Sequence, residues 1–104
     1  MKRLYVVVRN DLGPGLQLAQ ACHAVQGFTR EYAAVDVGDN LIALGAPPFA
    51  LAQLGLHALL ADLPIYLFFE PDLGKELTAI ALNGEAQKLV ASLPLALRAP
   101  RWTV

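Results

Sequence analysis

Residues 4–24 read LYVVVRNDLGPGLQLAQACHA, and the change of pattern inside this stretch decides the fold. Its first five residues are apolar and mostly valine, without polar alternation, which is typical of a strand covered on both faces. The turn at residues 10–15 holds two glycines and a proline, and the Ala-, Leu- and Gln-rich sequence after it predicts a helix over about residues 16–32. A buried strand that leads into a long helix indicates an α/β protein.

The remainder of the chain continues this alternation of strands and helices. The predicted elements are an apolar run over 40–44, a helix over 48–60, a strand over 65–70, a returning strand over 76–82, a short helix over 85–92 and an extended segment over 93–97. Long connections through a helix imply parallel strands with right-handed crossovers, whereas the turn at 71–75 implies a hairpin. We therefore expect one α/β domain over residues 1–104, with three layers (α/β/α) around a small mixed sheet.

Composition excludes several classes of protein. The 104 residues are 56% hydrophobic and 16% charged, with a net charge of −1, so bulk positive charge cannot attract DNA or long RNA. Residues 40–61 carry no charge, but the pair Pro47 and Pro48 would break a membrane-spanning helix. A weakly charged surface predicts a homodimer. The single cysteine, Cys22, predicts a reducing, cytoplasmic setting and, with two histidines, no zinc site.

The predicted first helix has two distinct stripes. Apolar residues at helical spacing mark the side that we expect to be buried: Leu18, Val25, Phe28 and Tyr32. The opposite side carries residues three or four positions apart, where we expect the chemistry: Gln20, His23, Gly27 and Arg30. Cys22 is interpreted as a packing residue, because adjacent helical positions diverge too far for it to pair with His23.

The opening of the chain resembles the type II peptidyl-tRNA hydrolases. The resemblance rests on the valine-rich strand, the turn Arg9-Asn10-Asp11-Leu12, the Gly13-x-Gly15 segment and the helix motif Gln20-x-x-His23-Ala24. A Leu-Pro pair before the third strand, an acidic turn and a strand entered through Thr78 extend it over most of the chain. The resemblance implies the three-layer fold and hydrolysis of the ester between a peptide and the terminal ribose of tRNA, without metal or cofactor.

The resemblance also implies a set of site residues. His23 would be the base that takes a proton from water, Gln20 would orient that water or the substrate carbonyl, and Asp72 and Thr78 are approximate matches to the family's hairpin residues. The family's turn lysines are absent, because Pro14 and Leu16 occupy the matching positions.

Phosphate binding is predicted at the start of the first helix. The backbone amides of Gly13, Gly15 and Leu16 lie where a glycine turn meets a helix N-terminus, a place that suits an anion, and Asp11 belongs to the same predicted substrate-binding set. The expected partner is the acceptor end of tRNA carrying a peptide or a blocked amino acid.

A second hypothesis stays open from the sequence alone. Each candidate also has a purely structural interpretation: the glycines as an ordinary turn, Asp72 and Thr78 as turn and strand residues, and the aromatic residues as core. A domain of the same fold without the basic loop is expected to be a non-catalytic dimer that binds a protein or small ligand. A basic, aromatic C-terminal end, Arg98, Arg101 and Trp102, is a candidate contact for RNA or a partner subunit.

Overall fold

The buried strand predicted at the start of the chain lies inside a four-stranded sheet. The structure is a computed structural model that describes residues 2–97, so Arg98, Arg101 and Trp102 lie outside the described residues. The main elements are β1 (Leu4–Arg9), α1 (Pro14–Glu31), β2 (Leu41–Ala46), α2 (Pro48–Leu60), β3 (Ile65–Glu70), β4 (Glu76–Asn83) and α3 (Gln87–Val90). Short 3₁₀ turns at Pro71–Leu73 and Gly84–Ala86 follow β3 and β4.

The sheet is mixed, with the order β2-β1-β4-β3. β1 pairs in parallel with β2 and antiparallel with β4, and β3 and β4 form the antiparallel hairpin that the turn at 71–75 predicts. The extended segment 93–97 is shorter than a strand: it makes one bridge, between Leu95 and Leu44, flanked by two backbone hydrogen bonds of 2.9 Å. The predicted α/β class is confirmed.

Helices cover both faces of the sheet because the β1 side chains alternate between two apolar clusters. Val6, with Leu4 and Val8, packs in the cluster that includes Phe28 of α1. Val7, with Tyr5, packs in the cluster that includes Leu51 of α2. The predicted three layers are therefore present, with α1 on one side and α2 and α3 on the other.

The charge-free stretch 40–61 divides into two elements rather than one long helix. It contains β2, the extended residue Pro47 and α2, which begins with Pro48 in its first turn, where a missing N–H costs no hydrogen bond. Within residues 2–97, none of the helices combines the length and the apolarity that crossing a membrane requires.

Gly27 lets α1 approach β3 closely. A Cβ built at Gly27 would overlap the ring of Tyr66, whereas one at Gly15, near the start of the same helix, would meet no atom within 4 Å. The missing side chain at position 27 thus sets the distance between α1 and the β3 edge of the sheet, on which the site described below depends.

We predict that Gly27→Ala and Gly15→Ala change stability in opposite directions. Alanine favours helix over glycine by up to about 1 kcal/mol, so Gly15→Ala should raise the free energy of unfolding. Gly27→Ala should lower it by about 1–2 kcal/mol, because overpacking against Tyr66 outweighs that gain. Urea denaturation of the two variants checks this, and stabilisation by both would contradict the close contact of α1 with Tyr66.

Candidate active site on the β3 side of α1

The side of α1 that faces the sheet agrees with the predicted one at Phe28, with Val25 and Tyr32 partly buried against the same cluster, and differs from it elsewhere. Its buried residues are Gln17, Gln20, Ala24, Gly27 and Phe28, so two members of the predicted polar stripe point inward. Leu18, predicted to be buried, is 56% exposed. The physical reason is that small residues and a hydrogen-bonded amide allow a closer approach to the sheet than leucine does.

Gln20 and Thr78 meet in the interface between α1 and β4. The Thr78 Oγ1 donates a 2.6 Å hydrogen bond to the Gln20 Oε1, and both residues are buried. The structure thus brings together two sequence-predicted site residues that are 58 positions apart. This bond occupies the hydroxyl proton of Thr78 away from solvent, so the pair holds α1 in position over the sheet. A role of either residue toward substrate stays a prediction.

His23 lies one helical turn beyond Gln20 and is exposed. Its imidazole stacks on the ring of Phe68 in β3, with 4.8 Å between ring centroids and 17° between ring planes. Phe68 pairs in register with Ala79, the residue after Thr78. His23 and Gln20 therefore lie on the side of α1 that faces β3 and β4, the strand that carries Thr78. The stack on Phe68 fixes the plane of the imidazole, while the edge of the ring remains open to water.

Phe68 is the site residue that sequence reasoning missed. Its position in an aromatic-rich strand is typical of a core residue, and nothing in the sequence relates it to His23, 45 positions earlier. Only the pairing of β3 with β4, and the closeness of α1 at Gly27, place its ring under the imidazole. Phe69 next to it is 49% exposed, so the prediction that the aromatic residues are core is wrong for this side chain.

Among the described residues, Asp72 forms no hydrogen bond with Gln20, His23 or Thr78. It is an exposed residue of the 3₁₀ turn after β3, and its backbone N–H donates to the Glu70 Oε1 at 3.2 Å. Among the contacts of residues 2–97 none joins its carboxylate to His23, so a role for Asp72 in the site stays a prediction. In the same part of the chain, no three His, Cys, Asp or Glu side chains gather in the way a metal ion requires.

The predicted anion site at the start of α1 is open but electrostatically weak. Gly13 precedes the helix in an extended conformation, no side chain caps the first turn, and a Cβ at Gly13 or Gly15 would meet open space. Leu16 is exposed in the same turn. Free amides there suit an anion, but Leu16 supplies none of the positive charge that a lysine would add.

The cation nearest to this turn in the chain, Arg9, is committed to two carboxylates. Its guanidinium donates to both oxygens of Asp11, at 3.0 and 2.7 Å, and to Glu76 at 3.0 Å. Hydrogen bonds from Arg9 lower the pKa of Asp11. Asp11 is therefore a paired carboxylate that ties the turn to β1, and its predicted contact with substrate stays a prediction.

A separate apolar groove lies on the opposite flank of α1, above β1 and β2. It has a volume of about 510 Å³, and its lining includes Val6, Val8, Ala21, Ala43 and Leu97. Cys22 also lines it and is exposed, so its interpretation as a packing residue is wrong. His23 contributes to the lining as well, but its ring is turned to Phe68 of β3. Because β2 and β3 are opposite edges of the sheet, the groove and the imidazole are two distinct features.

Comparison with known proteins adds a structural relative only. No protein-family model matches the chain, and no curated protein matches it significantly. Among solved structures, a protein of unknown function from Agrobacterium tumefaciens strain C58 superposes with a TM-score of 0.71 at 13% sequence identity, covering 89% of this chain and 96% of that one. At that identity the likeness shows the fold alone.

We predict that Gln20 and Thr78 are energetically coupled. Thr78→Val keeps the shape but leaves the Gln20 carbonyl buried without its donor, which should cost about 1–3 kcal/mol of unfolding free energy. Gln20→Leu should cost a similar amount, and the double variant should cost clearly less than the sum, because no orphaned polar group remains. Chemical denaturation measures all three.

The control for this cycle is Thr29→Val, which removes an exposed hydroxyl that bonds the Val25 carbonyl of its own helix. It should change stability by no more than about 0.5 kcal/mol. Strict additivity of the Gln20 and Thr78 effects would contradict the pairing.

We predict a pH-dependent contribution from Arg9 and Asp11. The folded-state pKa of Asp11 is lowered, so its stabilising effect is present above the unfolded value of about 3.9 and is lost as pH falls through the lower folded value. At pH 7, Asp11→Asn should therefore cost about 0.5–1 kcal/mol, and the difference from wild type should vanish in acid. Thermal unfolding against pH measures it. Asp39→Asn, which removes an exposed carboxylate elsewhere, should not reproduce this profile.

Proposed function

We propose that this protein hydrolyses the ester between a peptide, or an N-blocked amino acid, and the terminal ribose of tRNA. In this reaction His23 accepts a proton from water as the water oxygen attacks the ester carbonyl. The carbon–oxygen bond to the ribose then breaks, and the ribose oxygen takes up the proton that His23 accepted, which restores the neutral imidazole. The products are the free peptide acid and tRNA with its terminal hydroxyl restored.

The observation that carries this proposal is the placement of His23. General-base catalysis needs an imidazole that water can reach and whose orientation is fixed. The stack on Phe68 supplies the orientation, and exposure supplies the access. The buried bond between Gln20 and Thr78 fixes the helix that carries it. Together with the resemblance of the first strand, turn and helix, this favours ester hydrolysis over a purely structural histidine.

The electrostatics limit how the substrate is held. With Arg9 paired to two carboxylates, phosphate has to rely on the free amides of Gly13, Gly15 and Leu16 at the start of α1. Such a site suits one or two phosphates rather than a long backbone. The proposed substrate contact is therefore confined to the acceptor end of the tRNA, and its salt dependence should be shallow.

A second candidate function rests on the apolar groove between α1 and β2. Its volume of about 510 Å³ lies within the range of small-molecule sites, and its walls are chiefly apolar. A non-catalytic domain that binds an uncharged apolar ligand there would need neither His23 nor the missing lysines. The hydrolase and the binding domain differ in what they predict for His23→Ala, because only the hydrolase needs His23.

We predict that His23→Ala reduces the release of free tRNA from N-acetyl-aminoacyl-tRNA by about 10²- to 10⁴-fold, the usual contribution of a general base. The matched control is His57→Ala, which removes the only other histidine, exposed on α2 on the far side of the sheet, and should leave the rate unchanged. Initial rates of the purified proteins, measured against a protein-free blank, give the comparison.

Two results would contradict the hydrolase proposal in different ways. A wild-type rate equal to the blank would remove the activity and favour the binding domain. A wild-type rate above the blank that His23→Ala leaves unchanged would keep the activity but exclude His23 as its base.

A further inference from the structure

The outer face of α2 carries an apolar stripe. Phe49, Leu56 and Leu60 are 73%, 56% and 76% exposed, and Leu59 beside them is 54% exposed. With Gln53 they follow a spacing of four, three and four residues, which aligns them along one side of a helix. The residues that α2 buries against the sheet, among them Leu51 and Ala58, lie on the opposite side. α2 is therefore apolar on both faces.

The absence of charge on this face favours a second copy of the chain over a membrane surface as its partner. α2 has no Asp, Glu, Lys or Arg, and its outer polar residues are Gln53 and His57. A helix that lies on an anionic membrane surface normally has Lys and Arg on its polar face, and α2 has none. A face without charge meets a second copy of itself without repulsion, which is the condition for a two-fold interface.

The area of the stripe is sufficient for such an interface. Four large side chains, each more than half exposed, present on the order of 450 Å² of apolar surface, which is the size of the largest apolar patch on a typical monomer, and such a patch is often an interaction site. Two copies would bury about twice that area, and the flanking Ala52, Gln53 and His57 bring the total to the ~1,000 Å² that a specific interface requires. A dimer of modest affinity follows from this size.

We propose that α2 is the interface of a homodimer in which two α2 helices pack antiparallel about a two-fold axis. The spacing then places Phe49 of one copy near Leu60 of the other and Gln53 near Leu56, with the axis close to the middle of the helix. The Phe68 side of α1 lies on the other face of the sheet and stays open in the dimer. The low proportion of charged residues in the chain is thus explained in part by α2, whose uncharged outer face forms the interface.

The test uses two leucines of equal exposure on opposite faces. Leu56 of α2 and Leu18 of α1 are both 56% exposed, so a change to glutamate alters the isolated chain equally in area and charge. Sedimentation equilibrium over about 1–100 μM should show a dimer for wild type and Leu18→Glu. Leu56→Glu should raise the dissociation constant at least about 100-fold, because it places an unpaired charge in the interface.

A further variant and two measurements separate interface loss from misfolding. Leu60→Glu should dissociate the dimer as Leu56→Glu does, and both should keep the wild-type far-ultraviolet circular dichroism spectrum. A monomeric wild type at the highest concentration would overturn the proposal. So would dissociation by Leu18→Glu alone, which would move the interface to the groove. Binding of wild type, and not Leu56→Glu, to phosphatidylcholine vesicles with no dimer in solution would overturn it in favour of a lipid surface.

Discussion

Burial of β1 on both faces is the constraint on which the rest of the structure depends. Its side chains from Leu4 to Val8 exclude water on either side, so one helix layer has to cover each face. α1 covers the side of β1, β4 and β3, and leaves the β2 edge partly open. This single arrangement produces the stacked His23 on one flank of α1, the apolar groove on the other, and α2 with its free outer face across the sheet.

The candidate site combines a fixed framework with little charge. The Gln20–Thr78 bond and the close packing at Gly27 hold α1, and α1 in turn holds His23 over Phe68. Arg9 neutralises Asp11 and Glu76 instead of facing a substrate phosphate. In the proposed reaction, positioning of a base and backbone donors would therefore have to supply what a cluster of lysines would otherwise supply through electrostatic attraction.

Sequence patterns predicted the bounds of the helices and strands better than they predicted which side of each helix faces the sheet. α2 and β3 have the predicted bounds, because proline and the hairpin turn mark their ends clearly. The inward side of α1 was predicted correctly at Phe28 but wrongly at Leu18, because a period of apolar residues assumes that the largest side chains point inward, whereas here Gln20 and Gly27 also face the sheet. Phe49, predicted to be core, is 73% exposed for a different reason: α2 is apolar all round, so its sequence carries no signal for which side faces the sheet.

Engagement of the substrate on the Phe68 side of α1 can be tested by an amide NMR titration with a non-hydrolysable acyl-aminoacyl adenosine, in which an amide replaces the ester. We expect the shifted resonances to centre on His23, Phe68 and Phe69, with Gly15 and Leu16 responding to an added phosphate. Shifts confined to Ala21, Ala43 and Leu97 of the groove would contradict this placement, since they would put the ligand on the opposite flank of the helix.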